Sequence, residues 1–314
     1  MASNIDVTIH VGLSKAASTY LQETYLPGIE DALFVHAPFR PEQPANPVQQ
    51  FVYELLFRNP ARLDRARFRR DIADFLAASG HSKVVISSEA LFGTPFQNHS
   101  DFCTNTQAVA DVFGRPKIWL LLRRQDRWLE STFSQFLKAG LSTTPERFTN
   151  YRNGEFSEYR WVYGGPNLDV RDLDWTPFVQ HYYDTFGKDR VLVQTFEHFA
   201  RDPQATLGRF CEFAGITPHE PADAQRKNVS LSPVSAFVAR AANALPMNLK
   251  LTLKRYIPSE MHPALILNRT LDPLLGRKRI FPQSLAQAAL DHHRTNNRHL
   301  ATLLDQDLST LGYY

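Results

Sequence analysis

The chain has 314 residues, a formal net charge of +3, 43% apolar and 12% aromatic residues. That composition supports a substantial buried core, and the length is large for one domain but common among single α/β domains. The charge is too weakly basic for a nucleic-acid binder, and no window reaches the roughly 18 apolar residues of a membrane span. The opening MASNIDVTIHVG lacks the basic and apolar regions of a secretory leader, so a soluble, cytoplasmic protein is expected. Cys103 and Cys211 are isolated beside phenylalanines and read as buried free thiols. The 11 histidines show no metal-ligand spacing, so no metal is expected.

Residues 5–22 read IDVTIHVGLSKAASTYLQ. Val7, Ile9 and Val11 alternate with Thr8 and His10, which predicts a short strand broken at Gly12. Lys15 follows on a small-residue loop, and Ser18 and Thr19 open an amphipathic helix. A strand, a turn and a helix whose first turn carries Lys, Ser and Thr form a phosphate cradle. The first-turn N–H groups have no intrahelical acceptor, the helix dipole favours an anion, and the lysine adds a mobile charge. This is not a Walker A loop, because the lysine stands three residues after a single glycine. The plainer alternative is a strand, a turn and a helix with an N-cap serine.

Residues 27–47 are rich in proline and lack periodicity, which predicts a loop beside the cradle. Residues 48–79 carry helical patterning through Phe51, Leu55 and Leu56, then Ile72, Phe75 and Leu76. Residues 83–86 read as a buried strand ending in Ser87, Ser88 and Glu89. Helix-compatible sequence over 106–113 leads into KIWLLLRRQDRWLESTFSQFL at 117–137. Its apolar run from Ile118 to Leu122 predicts a strand buried on both faces of a parallel sheet. A helix with Trp128, Leu129, Thr132, Phe133 and Phe136 follows. Arg123 therefore stands at the carboxyl end of a strand, where ligands bind in open α/β sheets. Its planar fork suits a phosphate monoester, and Ser131 lies eight residues on.

Residues 140–175 form a long insertion containing Gly, Asn and Tyr, suited to an acceptor-binding flap. A helix over 175–186, a strand over 190–197 and a helix to 213 complete the pattern. The alternation predicts an α/β fold: a three-layer parallel sheet with a P-loop-like phosphate-binding loop and a helical C-terminal extension. The expected division is a core over 1–235 and an extension over 236–314 packed on it within the same domain. Residues 247–281 mix Leu and Ile with Lys250, Lys254, Arg255, Arg269, Arg277, Lys278 and Arg279. They read as a helical subdomain with a solvated basic face, or as a peripheral membrane contact.

The segment Gly12-Leu13-Ser14-Lys15-Ala16-Ala17-Ser18-Thr19-Tyr20-Leu21 resembles the 5′-phosphosulfate loop of sulfotransferases that use 3′-phosphoadenosine 5′-phosphosulfate (PAPS). That loop reads roughly G-x-x-K-[SGT]-[GA]-[ST]-T-x-L, and Ala17 stands where glycine is common. Arg123 and Ser131 resemble the family's 3′-phosphate motif, with Phe133 in its aromatic place. Arg124-Gln125 replaces the common Asn-Pro, which leaves Arg124 and Arg127 open as further contacts. The segment 190–216 resembles the family's later strand and Asp-Pro helix, where Glu197 is expected to brace a loop or helix end. Arg226-Lys227 resembles the basic loop that closes over the nucleotide, or is a surface basic pair. The likeness covers most of 5–232.

The resemblance implies a sulfotransferase that moves the sulfuryl group of PAPS to a hydroxyl of a carbohydrate or glycolipid, releasing 3′,5′-ADP. Gly12, Lys15, Ala16, Ala17, Ser18 and Thr19 would hold the 5′-phosphate, and Arg123 and Ser131 the 3′-phosphate, with Arg226 and Lys227 closing over the nucleotide. Lys15 would neutralise the leaving phosphate. Glu89, after a strand that ends at the same sheet edge, is the candidate base, with His36 and His99 as rivals. Two other classes stand beside this one: a P-loop-like ATP-dependent kinase, and a non-catalytic nucleotide-binding protein of the same fold.

Overall fold

The computed structural model describes residues 5–39, 43–158, 168–220, 232–244 and 279–314. Its centre is a parallel sheet made by β1 (Asp6–His10), β2 (Leu33–His36), β3 (Lys83–Ser87), β4 (Lys117–Leu122) and a later strand, Val191–Thr195. The order across the sheet is β2, β3, β1, β4 and then Val191–Thr195. Every neighbouring pair is parallel, so all five strands end at one edge. The chain steps from β1 outward to one side and then crosses to the other with β4. That reversal opens a crevice at the carboxyl ends of the strands.

The strands form for the reason the sequence predicts. Val84, Val85 and Ile86 on β3 and residues 118–122 on β4 are almost wholly buried, as a sheet covered on both faces requires. Each large apolar side chain so buried contributes about 1.5–3 kcal/mol. Helices connect the strands: α1 (Ser18–Tyr20, continued by the π-helical turn Leu21–Tyr25), α2 (Pro47–Phe57), α3 (Arg65–Ala78) and α4 (Phe102–Phe113). Asn46 and Asp64 cap α2 and α3 through their side chains, so the predicted 48–79 region is two helices.

One stretch departs from expectation. Residues 27–47 contain β2, a four-residue strand at the edge of the sheet. Leu33-Phe34-Val35-His36 is too short for periodicity and lies among prolines, and edge strands are commonly this brief. Cys103 is another correction: it is exposed on α4, while Cys211 is buried against the Tyr25 hydroxyl at 3.1 Å.

The chain divides into two compact units, each made of non-contiguous pieces. The first comprises Met1–Arg124, Asp174–Lys227 and Thr295–Tyr314 and contains the sheet. It also holds α7 (Thr176–Phe186), the strand Val191–Thr195, α8 (Phe196–Arg201) and α9 (Pro203–Ala214).

The second comprises Gln125–Leu173 and Asn228–Arg294. It holds α5 (Gln125–Lys138), α6 (Pro145–Phe148), the hairpin β5 (Tyr151–Arg152) with β6 (Glu155–Phe156), α10 (Pro233–Asn243) and the helix Gln283–His292. Phe133 of α5 packs against Phe148 and Phe281. Arg279 bonds Asp126 at 2.8 Å and Glu130 at 3.0 Å. Arg279 thus belongs to a buried-carboxylate pairing and not to a solvated basic face; residues 245–278 of that stretch lie outside the described residues.

Candidate functional site

The loop after β1 carries the most unusual backbone of the first unit. Lys15 has φ 69° and Ala17 has φ 68°, both in the left-handed region, while Ala16 between them does not. Alternation of this kind builds anion-binding nests; here the Ala16 N–H is turned back to the Leu13 carbonyl at 3.2 Å. Ala17 is the N-cap of α1 and supplies no side-chain acceptor, so the helix amides at this end keep their hydrogens for another partner. Ser18 is buried, yet its hydroxyl has no hydrogen-bond partner. A buried hydroxyl without a partner costs about 1–3 kcal/mol, which a bound oxyanion would relieve.

Ala17 also shows why glycine is common at this place. A left-handed Cβ costs about 1–2 kcal/mol, and glycine would avoid it while losing more chain entropy on folding. Ala17→Gly is expected to raise stability by about 0.5–1 kcal/mol, read from the urea midpoint. A lower midpoint would mean the loop does not hold this conformation in solution.

The Lys15 side chain is half-buried, and no carboxylate among the described residues lies within ion-pair distance of it. Burial lowers its pKa; the nearby charge of Glu89 works against that, and Arg123 adds to it. Lys15, Glu89 and Arg123 therefore sense one another electrostatically. Glu89 opens a short 3-10 turn, Glu89–Phe92, immediately beyond β3 and is half-buried. No hydrogen bond or ion pair among the described residues engages its carboxylate. His36 ends β2 and is half-buried; burial lowers its pKa against the opposing charges of Glu89 and Glu23.

Arg123 follows β4 and is held on three sides. Its guanidinium donates to the Lys15 carbonyl and lies over the Phe196 ring at 4.3 Å, while its own carbonyl accepts from the Trp175 indole at 2.9 Å. Arg124 turns elsewhere. Its side chain donates to the Leu311 carbonyl at 2.9 Å, and its backbone N–H donates to Glu197 at 3.2 Å. Glu197 also accepts from the Tyr313 hydroxyl at 2.9 Å, which ties the start of α8 to the segment carrying Tyr313. Burial raises the Glu197 pKa.

Gly12, Lys15, Ala16, Ala17, Ser18, Thr19, Glu89, His36 and Arg123 thus come to one edge of the sheet in the first unit. His99 does not join them. It is buried with Phe92, Phe102 and Phe178, and burial lowers its pKa to about 4. An imidazole buried inside an aromatic cluster is shielded from an acceptor hydroxyl, which argues against His99 as the base. Ser131 is half-buried on α5 in the second unit. In that unit Arg127 lies within 3.8 Å of Asp126 and 3.7 Å of Glu130, an exposed residue's weak pairing. Arg226 and Lys227 lie outside the described residues.

The site also contains residues the motif did not flag. His10 of β1 bonds Ser87 of β3 through Nδ1 at 2.8 Å, and Gln22 of the π-helical turn donates to the same serine at 3.0 Å. Phe196 and Trp175, which hold Arg123, come from distant sequence. The histidine in the alternating strand Asp6–His10 is the one available signal for this layer.

No family model matches the chain, and no curated protein matches it. Among solved structures, a sulfotransferase from Alicyclobacillus acidocaldarius overlays with a TM-score of 0.54 and 17% identity, over 96% of this chain and 97% of that one. Sulfotransferase domains from the Synechococcus olefin synthase and the curacin biosynthetic pathway overlay at 0.41 and 0.40, each at 14% identity. They span 92% and 96% of this chain, and 93% and 98% of their own. The first of these overlays, together with the five-stranded parallel sheet flanked by helices, gives the chain the sulfotransferase fold.

Proposed function

We propose that the protein is a PAPS-dependent sulfotransferase acting on a hydroxyl of a carbohydrate or glycolipid. The observation that carries this reading is the loop itself: two left-handed residues, a buried serine hydroxyl without a partner and a lysine without a carboxylate at ion-pair distance, all at the start of one helix. Such a loop fits the oxygens of a phosphate group. The reading over a kinase rests on the lysine spacing, which differs from a Walker A loop.

In this reaction the acceptor oxygen attacks sulfur as the bond from sulfur to the 5′-phosphate breaks. The acceptor proton passes to Glu89, and charge collects on the departing phosphate beside Lys15 and the loop amides. Such in-line transfers depend on positioning and charge neutralisation more than on covalent help. Arg123 would grip the 3′-phosphate, with Ser131 and the pair Arg226 and Lys227 as further contacts. The insertion 140–175 would shape the acceptor site. A cytoplasmic place of action belongs to the same proposal.

Binding of 3′,5′-ADP without added Mg²⁺, in preference to ATP, is the direct test. Preference for ATP with Mg²⁺ would turn the reading toward a kinase. Arg123→Ala is expected to weaken 3′,5′-ADP about 10- to 150-fold, the loss of hydrogen bonds to a charged group. The same variant should change 5′-AMP far less. Equal losses by calorimetry would make Arg123 a brace for the Lys15 carbonyl only. Transfer of radiolabelled sulfate from PAPS into a cell extract, with identification of the product, then names the acceptor. Nucleotide binding without any turnover would leave a binding protein.

A further inference from the structure

The loop rests on a polar layer whose chemistry the phosphate motif does not explain. His10 is fully buried, with its ring 4.8 Å from that of Trp119 on one side. Its Nδ1 meets the Ser87 hydroxyl at 2.8 Å, and Ser87 also receives the Gln22 amide N–H at 3.0 Å. Ser87 has one hydrogen to give. With Gln22 already donating to its oxygen, the acceptor described for that hydrogen is His10 Nδ1. The proton of a neutral imidazole then sits on Nε2. Burial lowers the His10 pKa to about 3, and its described contacts, Trp119, Ser87 and Gly12, carry no charge that would oppose this.

Nε2 is buried without a hydrogen-bond partner, and it lies directly against Gly12. A Cβ added at Gly12 would stand 2.3 Å from it. Gly12 does not have a left-handed φ, so glycine is required here for clearance and not for handedness. The ring is the floor on which the loop lies. The same ring is tied to Ser87, two residues before Glu89, and through Gln22 to the helix that continues the loop. The π-helical turn that carries Gln22 is the sort of local departure that marks functional sites.

We propose that His10 is a positioning residue: held by Ser87, whose hydroxyl Gln22 also engages, and with its proton on Nε2, it fixes the height of the phosphate loop relative to β3, just beyond which Glu89 lies. Its consequence for catalysis rests on the sulfotransferase reading. An apolar side chain of equal volume would fill the space but could not accept the Ser87 hydrogen that ties the ring to β3.

Labelling histidine with ¹⁵N tests the arrangement in the whole protein. His10 is expected as the Nε2-protonated neutral tautomer; an Nδ1-protonated or charged ring overturns the proposal. Ser87→Ala keeps the ring volume and removes the lock. It should bring in the second tautomer, shift the backbone amides of residues 12–18, and weaken 3′,5′-ADP about tenfold. Ser87→Thr, which keeps the hydroxyl, should restore all three. Unchanged loop amides in folded Ser87→Ala would overturn the proposal, and if that variant does not fold, the wild-type tautomer and Ser87→Thr still decide it. Should the wild-type protein bind no 3′,5′-ADP, the sulfotransferase reading fails, while the tautomer and loop amides continue to judge His10.

Discussion

Lys15→Ala is expected to lower the turnover number by about 10²- to 10³-fold, the usual effect of removing one preorganised group from a developing negative charge. PAPS binding should weaken much less. The lysine lies half-buried on a loop whose backbone, on the proposed reading, would supply N–H groups to the ground-state phosphate. Its ammonium carries a mobile charge that matters most as the bridging oxygen departs, and interactions stronger in the transition state appear in kcat. The surroundings sharpen the effect. Burial and Arg123 both disfavour an ammonium here, and Glu89 alone among the named groups favours it. An anion on the loop would join Glu89 in favouring the ammonium. Lys15→Arg should not restore the rate, because a planar fork cannot occupy the point left by an ammonium. A variant with unchanged kcat and a raised KM would show that Lys15 binds both states equally.

The residues that can be read in advance are those whose role is local. Lys15, Ser18 and Thr19 follow a strand at fixed spacing, so backbone geometry alone puts them at a helix start. Arg123 follows a run too apolar to be anything but a central strand. Glu89 follows a second such run, and parallel pairing then brings all three to one edge. The strand Leu33–His36 is not legible because four residues carry no period, and its support comes from pairing with β3. His99 reads as a loop histidine because its aromatic neighbours, Phe92 and Phe178, are brought in by the fold.

The layer beneath the loop is hidden for a deeper reason. His10, Ser87 and Gln22 are separated by up to 77 residues, and their contact depends on strand register that no spacing rule encodes. Gly12 misleads in the same way. Read alone it marks a turn, whereas its place against His10 makes it a matter of clearance. Ala17 runs the other way, since a small residue in the sequence conceals a left-handed backbone. Local chemistry is legible where one segment makes it, and illegible where two strands share it.

Glu89→Gln should reduce kcat by about 10²- to 10⁴-fold, the range of general-base effects, while leaving the fold and 3′,5′-ADP binding intact. The amide keeps the size and polarity of the side chain and loses only the oxygen able to take a proton. The position suits a general base. Glu89 lies just past β3, half-buried, with no hydrogen bond or ion pair among the described residues holding its carboxylate. An acceptor hydroxyl can therefore be its first strong partner. His36 is the competing base. It sits at the end of the neighbouring strand, and burial keeps its pKa below the ordinary imidazole value, so it is neutral and able to accept a proton near pH 7. The two are separated by comparing Glu89→Gln with His36→Ala on the same acceptor. Loss of turnover in the first and its retention in the second assigns the proton to Glu89. The reverse pattern assigns it to His36. Because His36 and Glu89 sense each other's charge, Glu89→Gln should also lower the His36 pKa further. An imidazole resonance that titrates at lower pH in the variant would register that coupling even before an acceptor is known.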